Sequence, residues 1–173
     1  SMTLWCWGTD EQKKKYLVPQ ARGEKIATYG LTEPNAGSDA VGIQSTAVRK
    51  GDRYVLNGEK MWISLADVAD HFLVIAWTDQ EKKKKRNHPG LSAFVVPTDL
   101  DGVTRTPNRE KMGMRTTPFG DIRLEGVVVP ETARLGPEGA GTSILMDAME
   151  AERSFLFAPQ IGVLERQLDE CID

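Results

Sequence analysis

Two short segments hold the residue types from which a small-molecule site could be built. The first is Tyr29-Gly30-Leu31-Thr32-Glu33-Pro34-Asn35-Ala36-Gly37-Ser38-Asp39. Pro34, Asn35, Gly37 and Asp39 are turn residues, and Thr32 and Ser38 can cap backbone donors, so a strand end followed by a turn accounts for the segment. A glycine-bearing turn also lets backbone approach polar ligand atoms, so the same residues read as a loop offering N–H groups and two hydroxyls to a ligand. The second segment is Gly58-Glu59-Lys60-Met61-Trp62-Ile63-Ser64. A strand that delivers a Trp and then a hydroxyl can stack on an aromatic ring and hydrogen-bond its edge, or it can bury the Trp in a core. Neither segment is a Walker A loop or a Gly-x-Gly-x-x-Gly turn, so a nucleotide-binding Rossmann fold is not supported. His71, His88, Cys6 and Cys171 have no metal-ligand spacing, and no metal is expected.

The elements that must carry these segments follow from periodicity. Over 45–49, 54–60, 71–78, 92–96 and 122–129 the pattern is period two or continuously apolar and rich in β-branched residues, which predicts strands. Lys50-Gly51-Asp52-Arg53 predicts a hairpin turn between the first two. Short strands with polar turns suggest an antiparallel barrel or sandwich. Residues 80–89 carry Lys82, Lys83, Lys84, Lys85 and Arg86, a solvated hairpin tip or an attraction for a phosphorylated ligand. Before the strands, Thr9 or Asp10 caps a helix start. After them, 141–173 is helical, with Ile144, Leu145, Ala148, Met149 and Glu152 on one face and Ile161, Leu164 and Leu168 continuing the stripe. Such a stripe implies a partner, so the chain is expected to be a fragment or to need partner subunits. Ser1-Met2 reads as a tag remnant.

Composition narrows the classes further. The chain has 173 residues, 40% hydrophobic and 27% charged, with a net charge of −3. That is a globular composition of about one domain, with no general attraction to nucleic acid or anionic lipid. No apolar run approaches the ~18 residues of a membrane span. An intracellular, soluble protein is expected, in cytoplasm or mitochondrial matrix.

Taken together, the motifs resemble those of the acyl-CoA dehydrogenases. Tyr29 to Asp39 is similar to that family's Tyr-x-x-Thr-Glu-Pro-x-Ala-Gly-Ser-Asp loop, and Gly58 to Ser64 to its Asn-Gly-x-Lys-x-Trp-Ile-Thr/Ser segment. Lys111-Met112-Gly113-Met114-Arg115 resembles its Lys-x-Gly-x-Arg turn, although Thr116-Thr117-Pro118-Phe119-Gly120 replaces the usual serine and polar residues after it. Leu124-Glu125-Gly126-Val127-Val128-Val129-Pro130 resembles its Phe-Glu-Asp-Val-x-Val-Pro strand, and 136–141 its glycine-rich helix entry.

The resemblance implies an α+β chain with an antiparallel β-barrel middle domain flanked by helices: residues 1–27 as the tail of an N-terminal helical domain, 28–139 as the barrel, and 140–173 as the start of a C-terminal helical bundle. It implies FAD as cofactor, an acyl-CoA substrate, an electron-transfer flavoprotein as acceptor, and a homo-oligomer, usually a tetramer. Tyr29, Leu31 and Thr32 would meet the flavin ring through backbone and the Thr32 hydroxyl. Trp62, with Ile63 beside it, would stack on it, and Ser64 would hydrogen-bond near N5. Ser38, Glu150 and Arg153 would line the substrate. Glu152, in the pair Glu152-Arg153, matches the base of the isovaleryl-CoA and long-chain dehydrogenases, which removes the α-proton of a thioester. Other family members take the base from a region further along the chain. The chemistry would be α,β-dehydrogenation to a trans-2-enoyl-CoA. A flavin monooxygenase, a dehydrogenase of carrier-protein thioesters and a non-catalytic binding fragment are the alternatives.

Overall fold

The computed structural model describes residues 2–107 and 109–172. Helices α1 (Met2–Trp7), α2 (Asp10–Gln12) and α3 (Val18–Ala21) come first, the last two joined by a π-helical stretch over Lys13–Leu17. Thr9 caps α2, its hydroxyl accepting from Gln12 N while the Gln12 side chain accepts from Thr9 N. Eight strands follow: β1 (Ala27–Gly30), β2 (Thr46–Lys50), β3 (Arg53–Ser64), β4 (His71–Trp77), β5 (Leu91–Pro97), β6 (Val103–Arg105), β7 (Phe119–Pro130) and β8 (Arg134–Leu135). Helix α4 (Gln80–Lys84) lies between β4 and β5, and α5 (Gly141–Phe155) and α6 (Ala158–Ile172) end the chain.

The sheet runs β6-β7-β3-β2-β4-β5-β8, with β1 on β4 beside this path. It is a mixed, open sheet, not the closed antiparallel barrel the sequence and the resemblance led one to expect. Its ends, β6 and β8, are not paired, and β4 takes both β1 and β2 in parallel. The reason lies in how β4 is shared. Strand β5 fills one edge of β4 along its whole length. The other edge takes β1 at His71–Val74 and β2 at Trp77 alone. Residues 31–45 therefore leave the sheet at β1 and return to it at β2, beside the same strand. That detour carries the first candidate segment.

Side chains of β4 alternate between two cores. Phe72, Val74 and Ala76 join Tyr54, Leu56, Phe94, Val96 and Ile122, while Ile75 and Trp77 join Ile43, Leu91, Ala93, Leu135 and Ile144 of α5. Both faces of β4 are thus covered, which explains its continuous apolar run. Helix α5 is buried only at Gly141, Ile144 and Leu145, and α6 is exposed throughout, with Ile161, Leu164, Leu168 and Ile172 on its surface. The segment expected as a loop at 80–89 opens instead with α4. Asp79 caps it, accepting from Glu81 N and Lys82 N at 3.0 Å each. Cys6 and Cys171 are free thiols on the surface. Among the described residues no helix is long and apolar enough to cross a membrane.

Gly58 lies where β3 passes Ser45, and a Cβ there would overlap the Ser45 side chain and come within 2.8 Å of its Cα. Gly58→Ala is expected to cost about 2 kcal/mol, within the usual overpacking range. The measurement is the urea midpoint at unchanged m-value, and a midpoint equal to wild type would contradict this packing.

Candidate functional site

Strand β3 keeps period two through Tyr54, Leu56, Gly58 and Lys60, the inward positions. Continued without interruption, it would bury position 62. Instead Met61 and Trp62 together oppose the single residue Asp121 of β7, between the pairs Lys60–Ile122 and Ile63–Gly120. This bulge shifts the phase by one. Ile63 turns inward and is 3% exposed, whereas Trp62 turns outward and is 50% exposed. Trp62 adopts φ 60°, a backbone state that a bulky residue holds only where its surroundings fix it. The fixing group is Asp121. Its buried carboxylate accepts from Trp62 N at 3.3 Å and pairs with Arg109, whose guanidinium sits 4.8 Å from the centre of the Trp62 ring. Phe119 stacks on the same indole at 5.7 Å. Trp62 is therefore not a core residue; Trp77 is, at 1% exposure.

One step before the bulge, Lys60 is fully buried. Its ammonium donates to Glu33 Oε1 at 2.7 Å, the Ile75 carbonyl at 2.8 Å and the Leu31 carbonyl at 3.2 Å, which uses all three protons. Ile75 lies on the stretch of β4 between its pairings with β1 and β2, so the lysine fills the gap that the detour leaves. Glu33 holds the other end of the detour. It accepts from Gln44 N at 2.5 Å, Ser45 N at 3.1 Å and Ser45 Oγ at 2.5 Å. Burial pushes the Glu33 carboxyl up, but Lys60 and the donors of Gln44 and Ser45 outweigh it, and the carboxyl is held below its ordinary value. Burial pushes Lys60 down to about 8 against the pull of Glu33, so the ammonium persists at neutral pH.

This pair brings the two candidate segments together. Met61 N donates to the Thr32 carbonyl at 2.8 Å, and Thr28 Oγ1 donates to the Ser64 carbonyl at 2.6 Å. Tyr29, Leu31 and Thr32 thereby run beside Trp62, Ile63 and Ser64. Ser64 is exposed, and Leu31 and Thr32 are half-buried. Ile63 is buried, so of these six it offers a ligand no side-chain surface. Ser38 stands exposed at the far turn of the detour, beside Asp39, whose carboxylate pairs with Arg86. Lys83 Nζ reaches the Gln44 carbonyl at 2.8 Å. The basic run thus packs back on the detour.

Helix α5 spreads its three candidates. Glu152 lies seven residues after buried Leu145, on nearly the same side, yet it is exposed, and Leu145 is the last buried residue of α5. Glu150 faces the opposite way, into a cleft against α1 that Trp7 and Asp147 also line. Arg153 is exposed. Sequence reasoning quoted Lys60 and Glu33 without giving them a role, and it did not single out Asp121. The period-two pattern of β3 carried the signal for Lys60, since it puts a lysine inward, where it requires a carboxylate. Among the described residues no cluster of three His, Cys, Asp or Glu side chains could hold a metal.

The family model of the acyl-CoA dehydrogenase middle domain matches residues 28–127, well over half of the chain. The chain belongs to the acyl-CoA dehydrogenase family. The short-chain specific acyl-CoA dehydrogenase of Clostridium acetobutylicum is 41% identical over 163 residues, which are 94% of this chain and 42% of that protein. The chain thus spans about two fifths of this curated relative's length. Among solved structures, the prolyl acyl carrier protein oxidase AnaB is similar with a TM-score of 0.91 at 40% identity, over 99% of this chain and 44% of that one. The FAD complex of PigA is similar with a TM-score of 0.91 at 33% identity, over 99% and 44%. For an acyl-CoA dehydrogenase-family chain, the site has a fitting chemistry: a flat, half-exposed indole beside two hydroxyls, Thr32 and Ser64, suits a planar ring with a polar edge.

Lys60→Met would leave the Glu33 carboxylate buried without its cation, and is expected to cost about 3–5 kcal/mol. Lys60→Met combined with Glu33→Gln is expected to recover part of that loss in urea unfolding; equal midpoints for the single and double variants would contradict the pairing. The depressed Glu33 pKa stabilises the fold above the ordinary value of 4.5, and that contribution is lost as pH falls through the folded-state value. The thermal midpoint of wild type should therefore fall more steeply in acid than that of the double variant.

Proposed function

We propose that this chain provides the flavin- and thioester-facing part of an FAD-dependent acyl-CoA dehydrogenase. One observation carries the reading: the bulge turns Trp62 outward beside Leu31 and Thr32, which Lys60 and Glu33 hold in place. The cofactor is FAD. Leu31 and Thr32 would meet its ring edge through backbone and the Thr32 hydroxyl, Trp62 would form the adjoining wall with Ile63 buried behind it, and the Ser64 hydroxyl would donate near N5. Donors fixed at that edge favour the electron-rich reduced ring.

The reaction is the α,β-dehydrogenation of an acyl-CoA thioester. Glu152 would take the α-proton onto a carboxylate oxygen; FAD, when bound, would supply the two-electron acceptor for the β-hydrogen, and the trans-2-enoyl thioester would be the product. A carboxylate near the end of α5 is exposed in the free protein, so the bound thioester must dry it before the weak carbon acid yields its proton. Ser38 and Arg153 face the carrier portion of the substrate, whereas Glu150 is turned away from it into the cleft against α1. Electrons then pass to an electron-transfer flavoprotein. The division at 27/28 and 139/140 belongs to the same reading, as does assembly into a homo-oligomer, a tetramer by resemblance; the exposed apolar stripe of α6 supports association.

A second reading has one observation in its favour, the likeness to a carrier-protein oxidase at 40% identity. It keeps Glu152 and FAD and replaces CoA by a carrier-protein thioester.

The test is an anaerobic titration of the flavin-loaded protein with acyl-CoAs and with the matching carrier-protein thioesters, following the flavin absorbance. Bleaching by acyl-CoA is expected, and Glu152→Gln is expected to slow it by roughly 10²- to 10⁴-fold, the range of a lost general base. Bleaching by carrier-protein thioesters alone selects the second reading. Glu152→Gln bleaching at the wild-type rate would remove Glu152 from the mechanism.

A further inference from the structure

The fully buried Lys60 ammonium donates to the Leu31 carbonyl at 3.2 Å. That carbonyl belongs to the peptide unit whose N–H is carried by Thr32. No peptide bond among the described residues is cis, so the C=O and N–H of this unit lie in one plane and point in opposite directions. The carbonyl is turned inward onto the ammonium, and the N–H is therefore turned away from it. The Thr32 carbonyl accepts from Met61 N at 2.8 Å, and Glu33 N donates to the Ala36 carbonyl at 2.9 Å, but Thr32 N has no hydrogen-bond partner among the described residues. A backbone donor left open on a half-buried residue is uncommon, and here its neighbours are satisfied. Amide conjugation joins the two ends of the unit. A cation on the carbonyl draws electron density from the nitrogen and makes the N–H a stronger donor. Glu33 offsets the Lys60 charge, its Oε1 meeting Nζ at 2.7 Å, but through another proton of the ammonium. The pair is neutral as a whole while the Leu31–Thr32 peptide stays polarised.

We propose that Lys60 is a positioning residue that tunes the bound flavin: acting through the Leu31–Thr32 peptide, it strengthens the Thr32 N–H as a donor to the ring edge and so raises the flavin's reduction potential. The inference rests on the reading that Leu31 and Thr32 meet the flavin. Reduction adds two electrons to the ring, and its polar edge gains negative charge. A fixed donor at that edge then binds the reduced ring better than the oxidised one, and a polarised donor does so by more. The proton stays on Thr32 N throughout; it is shared and not transferred. Lys60 touches neither flavin nor substrate. Its buried place lets it act without presenting a net charge at the site, because Glu33 neutralises it from the inner side. The pair that holds the two segments together thus also sets how readily the cofactor between them accepts electrons.

The experiment measures the midpoint potential of the flavin-loaded protein against a reference dye. Wild type is compared with Lys60→Met combined with Glu33→Gln, and with Tyr54→Phe. The double variant stays neutral and loses only the polarising contact, so its potential reports the peptide. Its ratio of reduced to oxidised flavin at a fixed dye potential should fall by about tenfold, or about 30 mV for a two-electron couple. Tyr54 lies at the far end of β3, where its hydroxyl donates to Glu138 at 2.5 Å and accepts from Arg134 at 2.8 Å. Tyr54→Phe should lower the urea midpoint and leave the potential in place, which separates tuning from lost stability. A second measurement needs no variant: in wild type labelled with ¹⁵N-threonine, the Thr32 amide proton should move downfield when FAD binds and further when the flavin is reduced. A double variant that holds FAD at the wild-type potential, or a Thr32 amide indifferent to reduction, would overturn the inference and leave the flavin reading standing. Wild type that takes up no FAD would overturn both.

Discussion

Lys60 occupies an inward position of β3, and a lone ammonium there would be too costly to keep charged. It remains charged because three acceptors meet it, and each comes from a different part of the fold. Leu31 belongs to the detour after β1, Glu33 to the turn that follows, and Ile75 to the central strand. A gap in the ladder along β4 would otherwise leave a carbonyl without a partner. The lysine fills it, and in doing so holds the detour against the bulged end of β3. A buried ion pair is weak evidence for net stability. Here its consequence is geometric: it fixes which backbone atoms of Leu31 and Thr32 face outward beside Trp62.

The bulge completes that geometry from the other side. Two residues opposite Asp121 reverse the phase of β3, so that an aromatic side chain otherwise destined for the core stands at the surface. Asp121 holds the strained backbone of Trp62, and Arg109 closes over the ring. An outward-facing indole and a buried charge thus sit two residues apart, on opposite sides of the same strand. Lys60 must face inward to reach Glu33, and the bulge must follow it directly for Trp62 to escape burial.

Much of this was legible in the residues. The strand pattern located β2 to β5 and β7, the Lys50-Gly51-Asp52-Arg53 turn joined β2 to β3, and the helical stripe located α5 and α6. The motifs named the right family. What periodicity could not supply was long-range pairing. The parallel placement of β1 and β2 on one edge of β4, which keeps the sheet open, is a relation between distant residues that no local pattern records. The outward turn of Trp62 was hidden for a related reason, because the bulge is created by β7. The exposure of Glu152 was hidden too: periodicity assigns a face, but how far along α5 that face meets the sheet depends on where β4 and β5 end. Lys60 is the opposite case, since its inward parity was readable and demanded a carboxylate that Glu33 supplies.

The most direct measurement is a crystal structure of the flavin-loaded protein with a thioester that cannot be oxidised. The account predicts the flavin ring against Leu31, Thr32 and Trp62, the Ser64 hydroxyl near N5, and the Lys60–Glu33 pair unchanged beneath them. A flavin bound elsewhere, or a Leu31–Thr32 segment that has left Lys60, would contradict it.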